Sequence, residues 1–568
     1  MIYFSRANLK GILLTLAFLI EVPNTVRYIS MLDGPEMFLG FAGRLLLLWG
    51  AIFAAAFIRP AAVRWLSALV LSCSAYFMVV FRHATTQFMT YEAFINLTNA
   101  TGELGDAFAQ NAAAFLGALV PALILLLSIG WGPGKRKALL PNWAAVAAPW
   151  LASLGLALIM FVRGGDGGDG LPSAFPPIAY MGLAGYEALS GEIGARQPVQ
   201  IRRIRRPGSR NIVLVVDESI AGQYLDINSP GGVPTPLSHP WSGLDIYNYG
   251  LAVSVSNCSS SSNVTLRYGG TRGDYRRIIA TQPSIWAYAH KAGLRTVYID
   301  AQTSGGTLQN FMTEAERAEI DDFIQLRDLP LQQRDMAAAR QLIRALDDPR
   351  PKFVLINKEG AHFPIQDRYP DAELRYLPAL KRGVADPFNT GKQIGFTGSP
   401  SEWVTYRNSY RNTLLWNVGV FFDLLLRHGN FADTTLIYTS DHGQNLHEDG
   451  SSGLYTHCDP APVSQEGAVP LVVIEGKGGS GRGGSGVDWR RDLAGNHDRS
   501  SHFMIFPTLL QLMGYDPVIS KQRYGLPLDA PSIDPGTFNI LFNARLKRQP
   551  VWVPLDRRRL IQPLSSDS

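Results

Sequence analysis

The sequence predicts an α-helical transmembrane domain followed by a soluble α/β domain with a doubly wound, mostly parallel sheet. Three observations carry this reading. Long apolar runs are confined to roughly the first 165 residues; the 568-residue chain exceeds one ordinary core; and strand-like and helix-like segments alternate from Asn211 onward. The expected units are a five-helix transmembrane domain over 1–165, a linker with interfacial helices over 166–210, and a soluble extracytoplasmic domain over 211–568.

Five stretches, roughly 11–31, 37–58, 61–81, 110–131 and 143–162, approach the length that a bilayer core demands. The first is the least clean, because it carries Glu21, Pro23 and Asn24, and it follows Arg6 and Lys10 as a signal-peptide core would. No small-x-small cleavage pattern follows, so it is read as a helix. Arg44 falls inside the second stretch, where an arginine faces the bundle or snorkels. Arg6, Lys10, Arg59, Arg64 and Lys135–Lys137 fall on one side, which marks that side as cytoplasmic. An odd number of spans then places everything after residue 163 outside.

The net charge of +5 is mild, but Arg202–Arg210 and Arg545–Arg559 are basic clusters. Each reads as a solvated face, and both together on a tethered domain could hold anionic lipid head groups. Aromatic residues do not interleave with them, so nucleic acid is not an expected partner. Of three cysteines, Cys73 lies in a span, while Cys258 and Cys458 lie where a disulfide can persist; whether they pair is left open.

"RGGDGGDG", 163–170, reads as a flexible break, and 171–195 as a membrane-surface connector or a plain linker helix. "NIVLVVDES" is a short apolar run of the kind that forms a central parallel strand covered on both faces. "PSIWAYAHKAGLRTVYID" reads as helix then strand, "KFVLINKEG" and "TTLIYTSD" as strands, and the Gly-rich run in 475–492 as a mobile loop. "RLKRQPVWVPLDRRRL" reads as an edge strand or a tail.

Three of these strands end in polar groups: Asp217 and Glu218, then Glu359 and His362, then Asp441 and His442. Ligands gather outside the carboxyl ends of parallel strands, so the three endings are expected to converge. The polar run after the last strand, "SDHGQNLHEDG", adds His447 and Glu448. Carboxylate and imidazole donors without thiolates suit zinc or manganese. "SVSNCSSSSNVTLRYGG" offers four consecutive serines; it reads as a polar loop, or as a nucleophile at the start of a helix beginning near Asn263.

On these motifs the chain resembles the membrane-anchored phosphoethanolamine transferases of the alkaline phosphatase and sulfatase superfamily, the group that includes the lipid A modifying enzymes. The resemblance rests on "SDHGQNLHEDG" followed by "YTH", on "GAHFPIQDRYP", on "NIVLVVDES" and on "NCSS". It implies a sulfatase-type sheet, a bacterial inner-membrane protein with its catalytic domain in the periplasm, and a monomer. It implies Glu218, Asp441, His442 and Ser260 as metal ligands, Ser260 as nucleophile, and His362 and His457 as groups that contact the transferred phosphoryl. A register shifted by one residue would make the nucleophile Ser259 or Ser261. The implied reaction moves a phosphoethanolamine head group from phosphatidylethanolamine to lipid A or another envelope acceptor through a phosphoserine. Two alternatives stay open: a phosphoglycerol transferase using phosphatidylglycerol, and a catalytically inactive tethered binding module.

Overall fold

The computed structural model describes residues 6–560 apart from 33–34, 86–87, 100–103, 133–139, 190–194, 363, 384–397, 454 and 478–486. Half of the 475–492 run expected to be a mobile loop, residues 478–486, therefore lies outside the described residues. By internal contacts the chain divides into two units, one holding Met1–Glu192 together with Asn543–Gln549, the other built from Ile193 onward.

The first unit contains α1 (Arg6–Ile29), α2 (Pro35–Ala56), α3 (Ala61–Thr85), α4 (Tyr91–Asn99), α5 (Leu104–Gly130), α6 (Asn142–Val162) and α7 (Pro176–Leu189). Five of these, all but α4 and α7, are long and apolar enough to cross a membrane. Their buried positions recur at helical spacing, as with Ala68, Leu71, Ala75 and Met78 of α3, so one stripe of each helix faces the bundle. Leu39, Leu46 and Leu47 of α2 point away from it, as suits lipid-facing positions.

Glu21, the charge that weakens α1 as a span in the sequence, is answered inside the bundle. Arg82 lies 3.5 Å from it, and the backbone N–H of Ser173 donates to it at 3.3 Å. Charges in a span persist when paired in this way. Lys10 is also buried and donates to the carbonyls of Ile129 and Trp131 at the C-terminal end of α5, where a cation meets the negative end of the helix dipole.

The "RGGDGGDG" run is not a free break. Gly165, Gly167, Gly168 and Gly170 are buried, Arg44 donates to Gly167 O at 3.0 Å, and Thr25 donates to Gly170 O at 2.9 Å. Gly170 adopts φ +68°, and a Cβ there would lie 2.4 Å from Cβ of Tyr28, so the glycine is a packing requirement. The connector after it forms α7, whose Tyr180 is buried and donates to Met89 O at 2.6 Å, so it packs on the helices instead of lying free. Part of the C-terminal basic cluster belongs to this unit too, with Arg545 paired to Glu187 at 2.9 Å and Arg548 to Asp166 at 3.3 Å.

The second unit is organised by one sheet. Its strands are β1 (Asn211–Asp217), β2 (Leu244–Val253), β3 (Arg295–Asp300), β4 (Asp322–Gln325), β5 (Lys352–Asn357), β6 (Thr434–Ser440) and β7 (Ala468–Gly476), in the order β2-β7-β6-β1-β5-β3-β4. The run from β6 to β4 is parallel, whereas β7 is antiparallel to both β6 and β2. A short antiparallel pair, β8 (Thr537–Asn539) and β9 (Trp552–Pro554), completes the described strands.

The seven residues of β1 are all buried, as a central strand covered on both faces requires. Val213 and Val215 join a core with Met336, Leu342, Trp403 and Phe422, while Ile212, Leu214 and Val216 join the opposite core with Trp286, Ile505 and Leu509. Alternate side chains thus anchor helices on opposite faces, each buried aliphatic residue contributing about 1.5–3 kcal/mol. The pairings Val216↔Asn357 and Asp217↔Ser440 bring β1, β5 and β6 to a common level at their carboxyl ends.

Candidate metal centre

The chain turns sharply after β1. Ser219 takes φ +62°, unusual for a residue with a side chain. Its N–H donates to Asp441 Oδ1 at 3.0 Å and its hydroxyl to Glu218 Oε1 at 2.8 Å, while the Tyr410 hydroxyl donates to its carbonyl at 2.7 Å. These bonds hold a strained turn that aims Glu218 at the end of β6. There Asp441 N donates to Asp217 O at 2.9 Å, continuing the ladder by one residue.

Glu218, Asp441 and His442 each offer a ligand atom, and those atoms all lie within 4.8 Å of one another with every residue buried. His442 Nε2 is 3.4 Å from Glu218 Oε1 and 3.8 Å from Asp441 Oδ2. Its Nδ1 donates to Gly443 O at 2.7 Å, which turns Nε2 toward the carboxylates.

The serine brought to this cluster is Ser259. Its hydroxyl lies 3.2 Å from Glu218 Oε1 and 3.1 Å from His442 Nε2. The hydroxyl of Ser260, the residue implied by motif alignment, forms no hydrogen bond among the described residues. The cause is a helix that starts earlier than the sequence reading places it. Helix α8 spans Ser259–Tyr268 instead of beginning near Asn263, so Ser259 occupies its first turn and the next serine is rotated by about 100° about the axis.

The disulfide between Cys258 and Cys458 closes the pairing left open in the sequence and ties the residue before Ser259 to the residue after His457. Cys458 N also donates to Asn257 O at 2.9 Å. The His457 ring stacks on His442 with centroids 4.6 Å apart, and the half-buried ring accepts or donates at Thr456 Oγ1, 3.0 Å from its Nδ1. His362 is exposed at the end of the β5 turn, with Arg368 donating to its carbonyl at 2.8 Å.

The other half of the polar run is used differently. His447 has Nδ1 2.9 Å from Ser451 Oγ and Nε2 3.0 Å from Tyr455 O, and its ring stacks on Trp403 at 4.3 Å. Glu448 lies near Tyr224 and Arg407. Neither belongs to the three-residue cluster.

Sequence reasoning missed four supports. Lys358 and Asp217 form a fully buried pair at 2.6 Å, and Asp335 accepts the N–H groups of Glu359 and Gly360 at 2.8 and 3.0 Å. Gly360 has φ +52°, and a Cβ there would sit 2.4 Å from Asp217 Oδ1, so this turn cannot take a side chain. Gln302, just past β3, donates to Glu218 Oε2 at 3.2 Å and to Lys358 O at 2.7 Å. The signal for Gln302 was its place at another strand's carboxyl end.

The electrostatics are those of a site shaped for extra positive charge. Burial, reinforced by the Glu218 charge, pushes Asp441 up to about 8. Burial opposes the His442 charge, yet the Asp441 and Glu218 carboxylates outweigh it and push the imidazole up to about 9. For Glu218 burial acts upward, but the hydrogen bond and charge of His442 hold it well below the ordinary range. Asp441 Oδ2 is buried without a hydrogen-bond partner among the described residues. Two carboxylates, an oriented imidazole and an orphaned carboxylate oxygen fit a divalent cation of the zinc or manganese type.

Residues 210–515 match the protein-family model described as Sulfatase. The chain belongs to the sulfatase family. Among solved structures, this sulfatase-family chain is similar to the integral membrane lipooligosaccharide phosphoethanolamine transferase A of Neisseria meningitidis, at 20% identity over 91% of this chain and 98% of that one, with a TM-score of 0.62. It is also similar to the zinc complex of the C-terminal periplasmic domain of EcEptC from Escherichia coli, at 18% identity over 64% of this chain and 97% of that one, with a TM-score of 0.50. Both likenesses are of fold, and the first extends over the helical part as well as the sheet. A search of curated proteins finds no match.

Proposed function

We infer that this sulfatase-family protein is a membrane-anchored, metal-dependent transferase. It moves a phosphoethanolamine head group from phosphatidylethanolamine to a cell-envelope acceptor, lipid A or another glycan or lipid, with Ser259 as the nucleophile. The observation that carries the reading is the Ser259 hydroxyl, which lies within hydrogen-bond distance of both Glu218 and His442 at the start of α8. Support comes from the fold shared with a named phosphoethanolamine transferase over nearly its whole length.

Glu218, Asp441 and His442 Nε2 would hold the cation, zinc or manganese, and Ser259 Oγ lies beside them. When bound, the cation supplies Lewis-acid stabilisation of negative charge on the serine and phosphoryl oxygens. The positive end of the α8 dipole favours the same alkoxide. Ser259 Oγ gives up its proton and forms a bond to phosphorus as the phosphorus–oxygen bond to diacylglycerol breaks. The leaving oxygen takes a proton, and phosphoethanolamine remains on the serine. The acceptor oxygen then loses its proton, bonds to phosphorus and expels Ser259 Oγ, which regains a proton. We assign proton transfer to His457, stacked beside His442, and to the exposed His362. Tyr410, Ser219 and Gln302 hold the Glu218 carboxylate in place.

We place the catalytic unit in the periplasm of a bacterial inner-membrane protein. The Cys258–Cys458 disulfide suits an oxidising compartment, and the cationic loop residues give the same orientation. The test is to incubate purified full-length protein with phosphatidylethanolamine labelled in its ethanolamine. Wild type and Ser260→Ala should carry covalent label and Ser259→Ala none, with turnover falling by at least about 10³-fold in the last. Absence of label on wild type with any phospholipid would remove the transferase reading, and label on Ser259→Ala would reassign the nucleophile.

A further inference from the structure

Where α1 ends, α2 begins and α6 ends, a pocket of about 430 Å³ opens among Tyr28, Glu36, Met37, Arg44, Ile159 and Arg163. Arg44 sits roughly two and a half turns inside α2. Its side chain reaches back toward the helix N-terminus, as helical side chains do, and donates to Gly40 O at 3.2 Å and Gly167 O at 3.0 Å. Its second terminal nitrogen has no partner among the described residues. Arg163, immediately after α6, lines the pocket with no side-chain hydrogen bond or ion pair among the described residues, close enough that its charge repels that of Arg44.

The acidic groups nearby do not neutralise this pair within the pocket. Asp169 feels both guanidiniums and offsets part of their charge, but it does not line the pocket, so the pocket side of the pair is left to a ligand. Asp166 is paired with Arg548. Glu36 lines the pocket and has no partner among the described residues.

Two adjacent guanidinium forks match the unesterified oxygens of a phosphodiester, which would also relieve their mutual repulsion. The Glu36 carboxylate and the Tyr28 ring suit an ammonium group. Met37 and Ile159 supply apolar wall for a glycerol and the start of an acyl chain. Three helix termini mark the level at which a bilayer's head groups lie. We propose that this pocket binds the head group of a bilayer phospholipid, its phosphate between Arg44 and Arg163 and, on an ethanolamine lipid, its ammonium beside Glu36. The inference rests on the helices spanning a bilayer, and not on the chemistry assigned to Ser259.

The test uses full-length protein, delipidated in detergent and kept in EDTA, so that binding does not depend on a cation at Glu218, Asp441 and His442. Native mass spectrometry follows titration with phosphatidylethanolamine, phosphatidylglycerol or inorganic phosphate. Wild type should bind one phosphatidylethanolamine per chain that inorganic phosphate does not displace. Arg163→Ala and Arg163→Gln, which break no internal bond, should weaken it at least about ten-fold. Glu36→Gln should weaken phosphatidylethanolamine and leave phosphatidylglycerol unchanged. Unchanged affinity in both Arg163 variants, or displacement by inorganic phosphate at the lipid's own concentration, would overturn the proposal.

Discussion

His442 and His447 belong to one polar run, and their surroundings separate them. His447 spends both ring nitrogens on neutral partners, Ser451 Oγ and Tyr455 O, and stacks on Trp403. His442 uses only Nδ1 in this way and turns Nε2 toward two carboxylates and the Ser259 hydroxyl. Two buried histidines on one loop are therefore distinguished by what satisfies them: a ring whose donors and acceptors are both met by neutral groups packs, and a ring left facing buried carboxylates is the one placed to serve as a ligand.

The largest expected effect breaks the comparison outright. His442→Ala should reduce the metal bound per chain to near zero and abolish labelling of Ser259, while His447→Ala should retain the metal and lose about 1–3 kcal/mol of stability. Metal analysis and thermal melts of both variants read the two outcomes, and metal loss in His447→Ala would erase the distinction. Next in size is the disulfide, which fastens the Ser259 and His457 ends of the centre across a separation of 200 residues. Replacing both cysteines by serine should cost about 2–5 kcal/mol, measured as a fall in melting temperature, with loss of labelling out of proportion to loss of bound metal.

Gln302 sharpens the account at the Glu218 side. Gln302→Ala removes one donor from that carboxylate and should weaken metal binding about 10–100-fold in a chelator competition, with the melting temperature of the metal-free protein little changed. The smallest effect concerns Glu466, whose carbonyl accepts Gly443 N behind His442 and whose carboxylate accepts from Asn257 at 2.9 Å. Burial pushes this carboxyl up to about 7 from an ordinary 4.5. The folded state therefore holds the proton more tightly, and the associated stability is full below about pH 4.5 and lost as pH rises to about 7. Glu466→Gln should flatten that part of the stability profile, followed by denaturant midpoint against pH.

Much of this architecture was legible in the sequence because it depends on pattern. Apolar length marked the helices that can span a bilayer, and apolar runs ending in Asp217, Glu359 and Asp441 marked strands whose carboxyl ends meet. What escaped depends on rotation or on partners distant in sequence. A run of four serines contains no mark that says where its helix begins, and one residue of register swings a hydroxyl through about 100°. "RGGDGGDG" has the composition of a linker, and its burial depends on Thr25 and Arg44, far upstream. The antiparallel placement of β7 left no trace in "AVPLVVIEG", since a strand buried on both faces reads the same in either direction.

The central claim is that Glu218, Asp441 and His442 enclose one divalent cation with the Ser259 hydroxyl at its side. Anomalous diffraction from crystals of the full-length protein grown with zinc tests it most directly. The account predicts a single peak about 2.0–2.2 Å from one oxygen of each carboxylate and from His442 Nε2, with Ser259 Oγ nearer to it than Ser260 Oγ. No peak among those atoms, or Ser260 as the closest hydroxyl, would contradict it.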